Sequence, residues 1–170
     1  MSILTELGLI VGKENVADKV FDRLFPDFFK IEYKNPSNYI SVCWDKFQKQ
    51  SDISNSLNGK IFEYLLATLF IREGILPIYL SAKVAFVPNV IYDILFYSQA
   101  NGPVCISAKT SLRERYKQAD LEAIALKYVH RKALSYLITL EENEAKSVTS
   151  KIKSGDVIGL DKVIVATSSE

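Results

Sequence analysis

Four ionisable side chains stand out by where they sit. Glu63 lies within "IFEYLLATLF", the most apolar helical stretch of the chain, and Asp93 interrupts "VIYDILFY", a run otherwise suited to a buried strand. Lys109 closes the strand-like "VCISAK", and Glu122 follows in a helical stretch one turn after Gln118. Desolvating an unpaired carboxylate costs several kcal/mol in practice, so carboxylates in apolar segments have partners or face an edge of the core. Each residue also has an ordinary reading: Glu63 or Asp93 pointing off the core edge, Lys109 a solvent-facing strand end, Glu122 an exposed helical glutamate. Taken together they describe a site. Carboxylates brought from separate elements to a lysine bind a hard cation such as magnesium and activate water against a phosphate. In such a site Asp93 and Glu122 hold the metal, with Glu63 nearby. Lys109 orients or deprotonates the water and offsets charge in the transition state.

Composition removes the competing chemistries. His130 is the single histidine, and Cys43 and Cys105 are the two cysteines of 170 residues, too few for a thiolate zinc site, a multi-histidine centre or a disulfide framework. His130, in "KYVHRKAL", reads as a helix-end residue, and Trp44 as a core aromatic. The formal charge of +1 means that affinity for a polyanion must come from a local patch. Such a patch exists: "CISAKTSLRERYKQADLEA" gathers Lys109, Arg113, Glu114, Arg115 and Lys117 at one strand-to-helix junction. The N-terminus lacks a basic leader and no apolar run approaches a membrane span, so a cytoplasmic protein without membrane attachment is expected.

The elements that must position these residues follow from periodicity. Helices are expected over "KENVADKVFDRLF", with Val16, Val20, Phe21 and Leu24 on one face and Pro26 at the end, and over "NPSNYISVCWDKFQKQS". After a polar break at "SDISNSLNG", Gly59–Gly74 is the strongest helix expectation. Three β-rich runs follow, "ILPIYLSAKV", "NVIYDILFYS" and "PVCISAKTS", the last two as neighbouring strands. Then come a helix over "RYKQADLEAIALKYVHRKA", the strand "LSYLITL", the helix "ENEAKSVTSKIKSG" and the strand "DKVIVATS". That order predicts an α/β fold with a central mixed β-sheet flanked by helices, preceded by N-terminal helices. One domain over 1–170 is expected, with a helical part at 1–55 and a catalytic core at 56–170. Strand alternation puts Cys105, Ser107 and Lys109 on one face.

The order Glu63, Asp93, then a strand ending in Lys109, in an αβββαβ arrangement, resembles the PD-(D/E)XK nuclease superfamily. Tyr92 stands at the motif's proline, and Ser107 at the acidic position two before the lysine. The second departure resembles restriction endonucleases that read CCGG-type sites, the EcoRII-like group among them, in which the acid comes from the following helix. Here that acid is Glu122, thirteen residues after Lys109, and Ser107 is left an auxiliary role. The resemblance covers Glu63 to about Ala123 by motif, with the Arg-acid-Arg triplet of Arg113, Glu114 and Arg115 inside it. It implies a restriction-endonuclease-like core and a magnesium-dependent type II enzyme that cuts double-stranded DNA as a homodimer.

The triplet suits such a substrate. Guanine presents O6 and N7 acceptors to arginine in the major groove, and cytosine an N4 donor to glutamate. Lys117 and Gln118 extend the expected DNA contact. The ordinary reading, a charged helix N-terminus, fits two arginines poorly because the helix dipole prefers acids there. Two alternatives stand beside the restriction enzyme: a junction-resolvase or repair nuclease of the same superfamily, and a non-cleaving DNA-binding module or subunit of a larger nuclease assembly.

Overall fold

The computed structural model describes residues 2–168. These fall into two compact units, residues 2–78 with 167–168, and residues 79–166.

The first unit is helical. A single turn, α1 (Ile3–Glu6), precedes α2 (Val16–Leu24), a 3-10 turn at Phe28–Lys30, α3 (Pro36–Gln48) and α4 (Asn55–Arg72). Asn15 caps α2 in a reciprocal box with Asp18. Asp18 is fully buried and receives the Tyr64 hydroxyl at 2.6 Å. Of the expected face, Phe21 and Leu24 are buried and Val20 is half-buried, whereas Val16 is 71% exposed and Ala17 is buried instead. The helix expected from Gly59 begins at Asn55 instead, because the Ser54 hydroxyl accepts the Leu57 N–H and starts the helix within the polar stretch. Phe21, Phe28, Tyr39, Phe47 and Phe62 fill the core of this unit.

The second unit holds, but for Ile78 at its edge, a five-stranded mixed sheet in the order β1 (Ile78–Ala82), β2 (Tyr92–Ser98), β3 (Gly102–Lys109), β4 (Leu134–Thr139), β5 (Lys162–Val165). β2 and β3 form an antiparallel pair with Ile94 opposite Ile106, turning at Gly102, whose φ of +72° suits glycine. β3, β4 and β5 run parallel, with Lys109 opposite Thr139. Parallel neighbours need crossovers. These are α5 (Arg115–Val129) between β3 and β4, and α6 (Glu142–Ser154) between β4 and β5. Tyr116, Ala119 and Ala123 of α5 share one buried cluster with Ala145 and Val148 of α6 and with Leu137 and Val163 of the sheet. Leu126 of α5 joins Leu95 and Cys105 in a second. The α/β fold with a helix-flanked mixed sheet is therefore as the sequence predicted. His130 caps α5, its N–H on the Leu126 carbonyl and its ring Nε2 2.9 Å from the Ala85 carbonyl. Among the described residues no helix is long and apolar enough to cross a membrane.

Candidate active site

Antiparallel pairing brings the start of β2 beside the end of β3, and with it Asp93 beside Lys109. Asp93 Oδ2 accepts the backbone N–H of Ala108 at 2.8 Å and the Lys109 ammonium at 2.8 Å. The carboxylate is thus oriented by main chain and charged by its neighbour. The two side chains are 19% and 21% exposed, sheltered enough for the pair to matter and open enough to be reached.

The third member arrives on α5. Tyr92 is buried, and its hydroxyl donates to the Glu122 carbonyl at 3.0 Å, fastening α5 to the start of β2. Burial pushes the Tyr92 hydroxyl far above its ordinary pKa, so it stays a donor. Tyr92 therefore anchors the helix that carries Glu122. Burial raises the Glu122 carboxyl above its ordinary value. Against this, the Gln118 amide, 2.8 Å from Oε1, and the Lys109 ammonium favour the charged form, while the Asp93 carboxylate disfavours it. Asp93, Lys109 and Glu122 therefore share one electrostatic neighbourhood.

Ser107 is buried two residues before Lys109 on β3. Cys105, further back on the same strand, is also buried, and burial pushes its thiol up to about 12, which leaves it inert as a nucleophile. Glu63 belongs to α4 in the helical unit, with Lys60 Nζ 2.6 Å from its carboxylate.

Among the described residues, no group of three or more His, Cys, Asp or Glu is arranged to hold a metal ion. The two carboxylates of Asp93 and Glu122 nonetheless suit magnesium. That ion takes hard oxygen donors and commonly uses one or two carboxylates, completing its shell with water and substrate phosphate.

The junction after Lys109 is exposed at Arg113, Glu114, Arg115, Lys117 and Gln118, while Leu112 before them is fully buried and Tyr116 among them is buried. Glu114 pairs with Lys117 one turn on. Arg115 Nη2 donates to the Ser111 carbonyl at 2.5 Å and to its Oγ at 2.7 Å. Sequence reasoning missed a residue that touches this segment. Glu144, in the first turn of α6, accepts the Leu112 N–H at 2.6 Å and the Arg113 N–H at 3.0 Å. An acid in a first helical turn is ordinary, so only the topology that brings α6 to the loop sets it apart.

Neither a family model nor a curated protein sequence matches the chain. Among solved structures, that of the restriction endonuclease PspGI in complex with its substrate DNA is similar, with a TM-score of 0.60 and 20% identity. The match covers 95% of this chain and 72% of that one. What the two share at that identity is a fold, and it is restriction-endonuclease-like.

Proposed function

We propose that this protein is a magnesium-dependent, sequence-specific endonuclease that reads a CCGG-type site in double-stranded DNA and hydrolyses its phosphodiester bonds. The observation that carries the reading is the Asp93–Lys109 contact at paired strand ends, with Glu122 in the same electrostatic neighbourhood. The fold supports it, since a similar one belongs to a restriction endonuclease solved on its substrate DNA.

In this reading Asp93 and Glu122 hold the magnesium, which when bound polarises a phosphoryl oxygen. Lys109, released from Asp93, directs its ammonium toward the attacking water and the charge that builds on the phosphate. Arg113 and Arg115 read guanine, and Glu114 reads cytosine. Glu114 must leave Lys117 to do so. Both are exposed, and solvent screens such a pair, so the exchange is cheap. Lys117 then turns to a phosphate, and Gln118 lies between the reading segment and Glu122. A palindromic site cut on both strands calls for a homodimer in which each subunit reads one half-site.

Incubation with plasmid and magnesium tests this. Discrete fragments are expected. Unselective degradation would instead indicate a resolvase or repair nuclease. Plasmid that is bound but uncut would indicate a DNA-binding module or the subunit of a larger assembly.

A further inference from the structure

The segment from Ser111 to Arg115 must hold its side chains in a fixed direction if it reads bases, yet Arg113, Glu114 and Arg115 are exposed where the loop enters α5. Its backbone is also unusual. Arg113 has φ of +43°, the left-handed region that residues other than glycine rarely enter. The Arg115 N–H closes the turn on the Leu112 carbonyl at 2.7 Å.

Glu144 supplies what holds that turn. Its two oxygens take separate, successive amides, Oε2 that of Leu112 and Oε1 that of Arg113. Successive N–H groups around a left-handed residue form a concavity that binds an anion, and here the anion is a side chain of the protein itself. Glu144 is the third residue of α6, the position from which a glutamate commonly reaches back to its own N-cap amide. It does not do so here. The Glu141 N–H goes to Thr139 Oγ1 at 3.2 Å, and the carboxylate of Glu144 is directed to the neighbouring loop. Thr139 is the register partner of Lys109, so the start of α6 lies one strand from the proposed catalytic lysine. The anchor is firm at both ends, since Ala145 and Leu112 are buried in one cluster.

We propose that Glu144 is a positioning residue for sequence recognition: it fixes the left-handed turn at Arg113 and so sets the direction of Arg113, Glu114 and Arg115 relative to Lys109. This rests on the base-reading role proposed above.

The test is a competition assay with the full-length protein on oligonucleotides carrying its site and on versions with one G·C pair changed. Glu144→Ala is expected to reduce the ratio of affinities at least ten-fold. Affinity for the changed oligonucleotides should hold or rise, because a negative charge is lost; general damage to the fold would lower every affinity together. Glu144→Gln keeps one acceptor and should fall between. Amide exchange at Leu112 and Arg113 is expected to quicken at least ten-fold in Glu144→Gln without a matching rise along β3. This second variant and readout decide the matter if Glu144→Ala folds poorly. A wild-type protein that discriminates, with both variants discriminating equally well and exchange unchanged, overturns the positioning role and leaves the reading of function intact. A wild-type protein that binds all sequences equally overturns that reading, and the role of Glu144 with it.

Discussion

Lys109 and Asp93 depend on each other, which makes single substitutions informative. Removing Lys109 leaves Asp93 with its Ala108 N–H, and removing Asp93 leaves Lys109 an ammonium without its 2.8 Å partner. Lys109→Ala and Asp93→Ala are each expected to slow cleavage by roughly 10²–10⁴-fold or more, the range for loss of a positioned acid–base group. DNA binding should persist in a mobility-shift assay. Without metal, Asp93→Ala should bind DNA at least as tightly as wild type, since a negative charge facing phosphate is gone. Glu122→Gln should be nearly inactive in magnesium and Ser107→Ala should retain activity; the reverse pattern would assign the metal to β3 and not to α5. Glu122 also makes a prediction about pH. Burial raises its carboxyl above the ordinary 4.5, so the folded chain holds this proton to a higher pH than the unfolded chain does. The neutral form is the better-tolerated one in the fold. Its stabilising contribution is full below 4.5 and is lost as pH rises through the folded-state value. In metal-free protein, Glu122→Gln should therefore have a higher denaturation midpoint than wild type at neutral pH, and should lose part of the wild-type gain on acidification toward 4.5. At this scale Asp93 and Lys109 were legible because a charge inside an apolar strand must find a partner. Glu144 was not, because an acid opening a helix has a local explanation and its real partners are thirty-odd positions away.

Among the elements, α5 does the positioning, and one glycine sets how closely it lies against the loop before β5. A Cβ on Gly159 would sit 2.4 Å from the Asp120 carbonyl oxygen and 2.8 Å from the Ile124 backbone nitrogen. Those two atoms bracket Glu122 in sequence. Asp120 meanwhile accepts the N–H groups of Gly159 and Leu160 at 2.6 and 3.1 Å. Gly159→Ala is thus expected to cost roughly 1–3 kcal/mol in urea denaturation, the usual range for overpacking. It should also reduce magnesium-dependent cleavage by displacing the turn that carries Glu122. An unchanged midpoint would show that the loop yields instead. The alternation of strands and helices from β2 onward was legible from period and turn residues alone. The exact edges were not. Ser54 extended α4 into a stretch that reads as a break, because its hydroxyl caps the Leu57 N–H, and Val16 stays exposed at the start of α2 while Asp18 is buried against the Tyr64 hydroxyl.

For the whole molecule, the mixed sheet with crossover helices follows from the order of elements, but sheet order and register do not. Only pairing shows that Asp93 and Lys109, sixteen residues apart, share an end of the sheet. The proposed two-fold symmetric cutting calls for a homodimer, and sedimentation at assay concentration should give twice the monomer mass, or reach it on addition of a site-containing oligonucleotide. The most direct measurement is to sequence the ends of the fragments made from plasmid by the wild-type protein in magnesium, alongside a digest by Lys109→Ala. Ends at two-fold symmetric sites flanked by CC and GG are expected from the wild type, and none from the variant. Ends scattered without regard to sequence, or cutting by Lys109→Ala at a near wild-type rate, would contradict the proposed function.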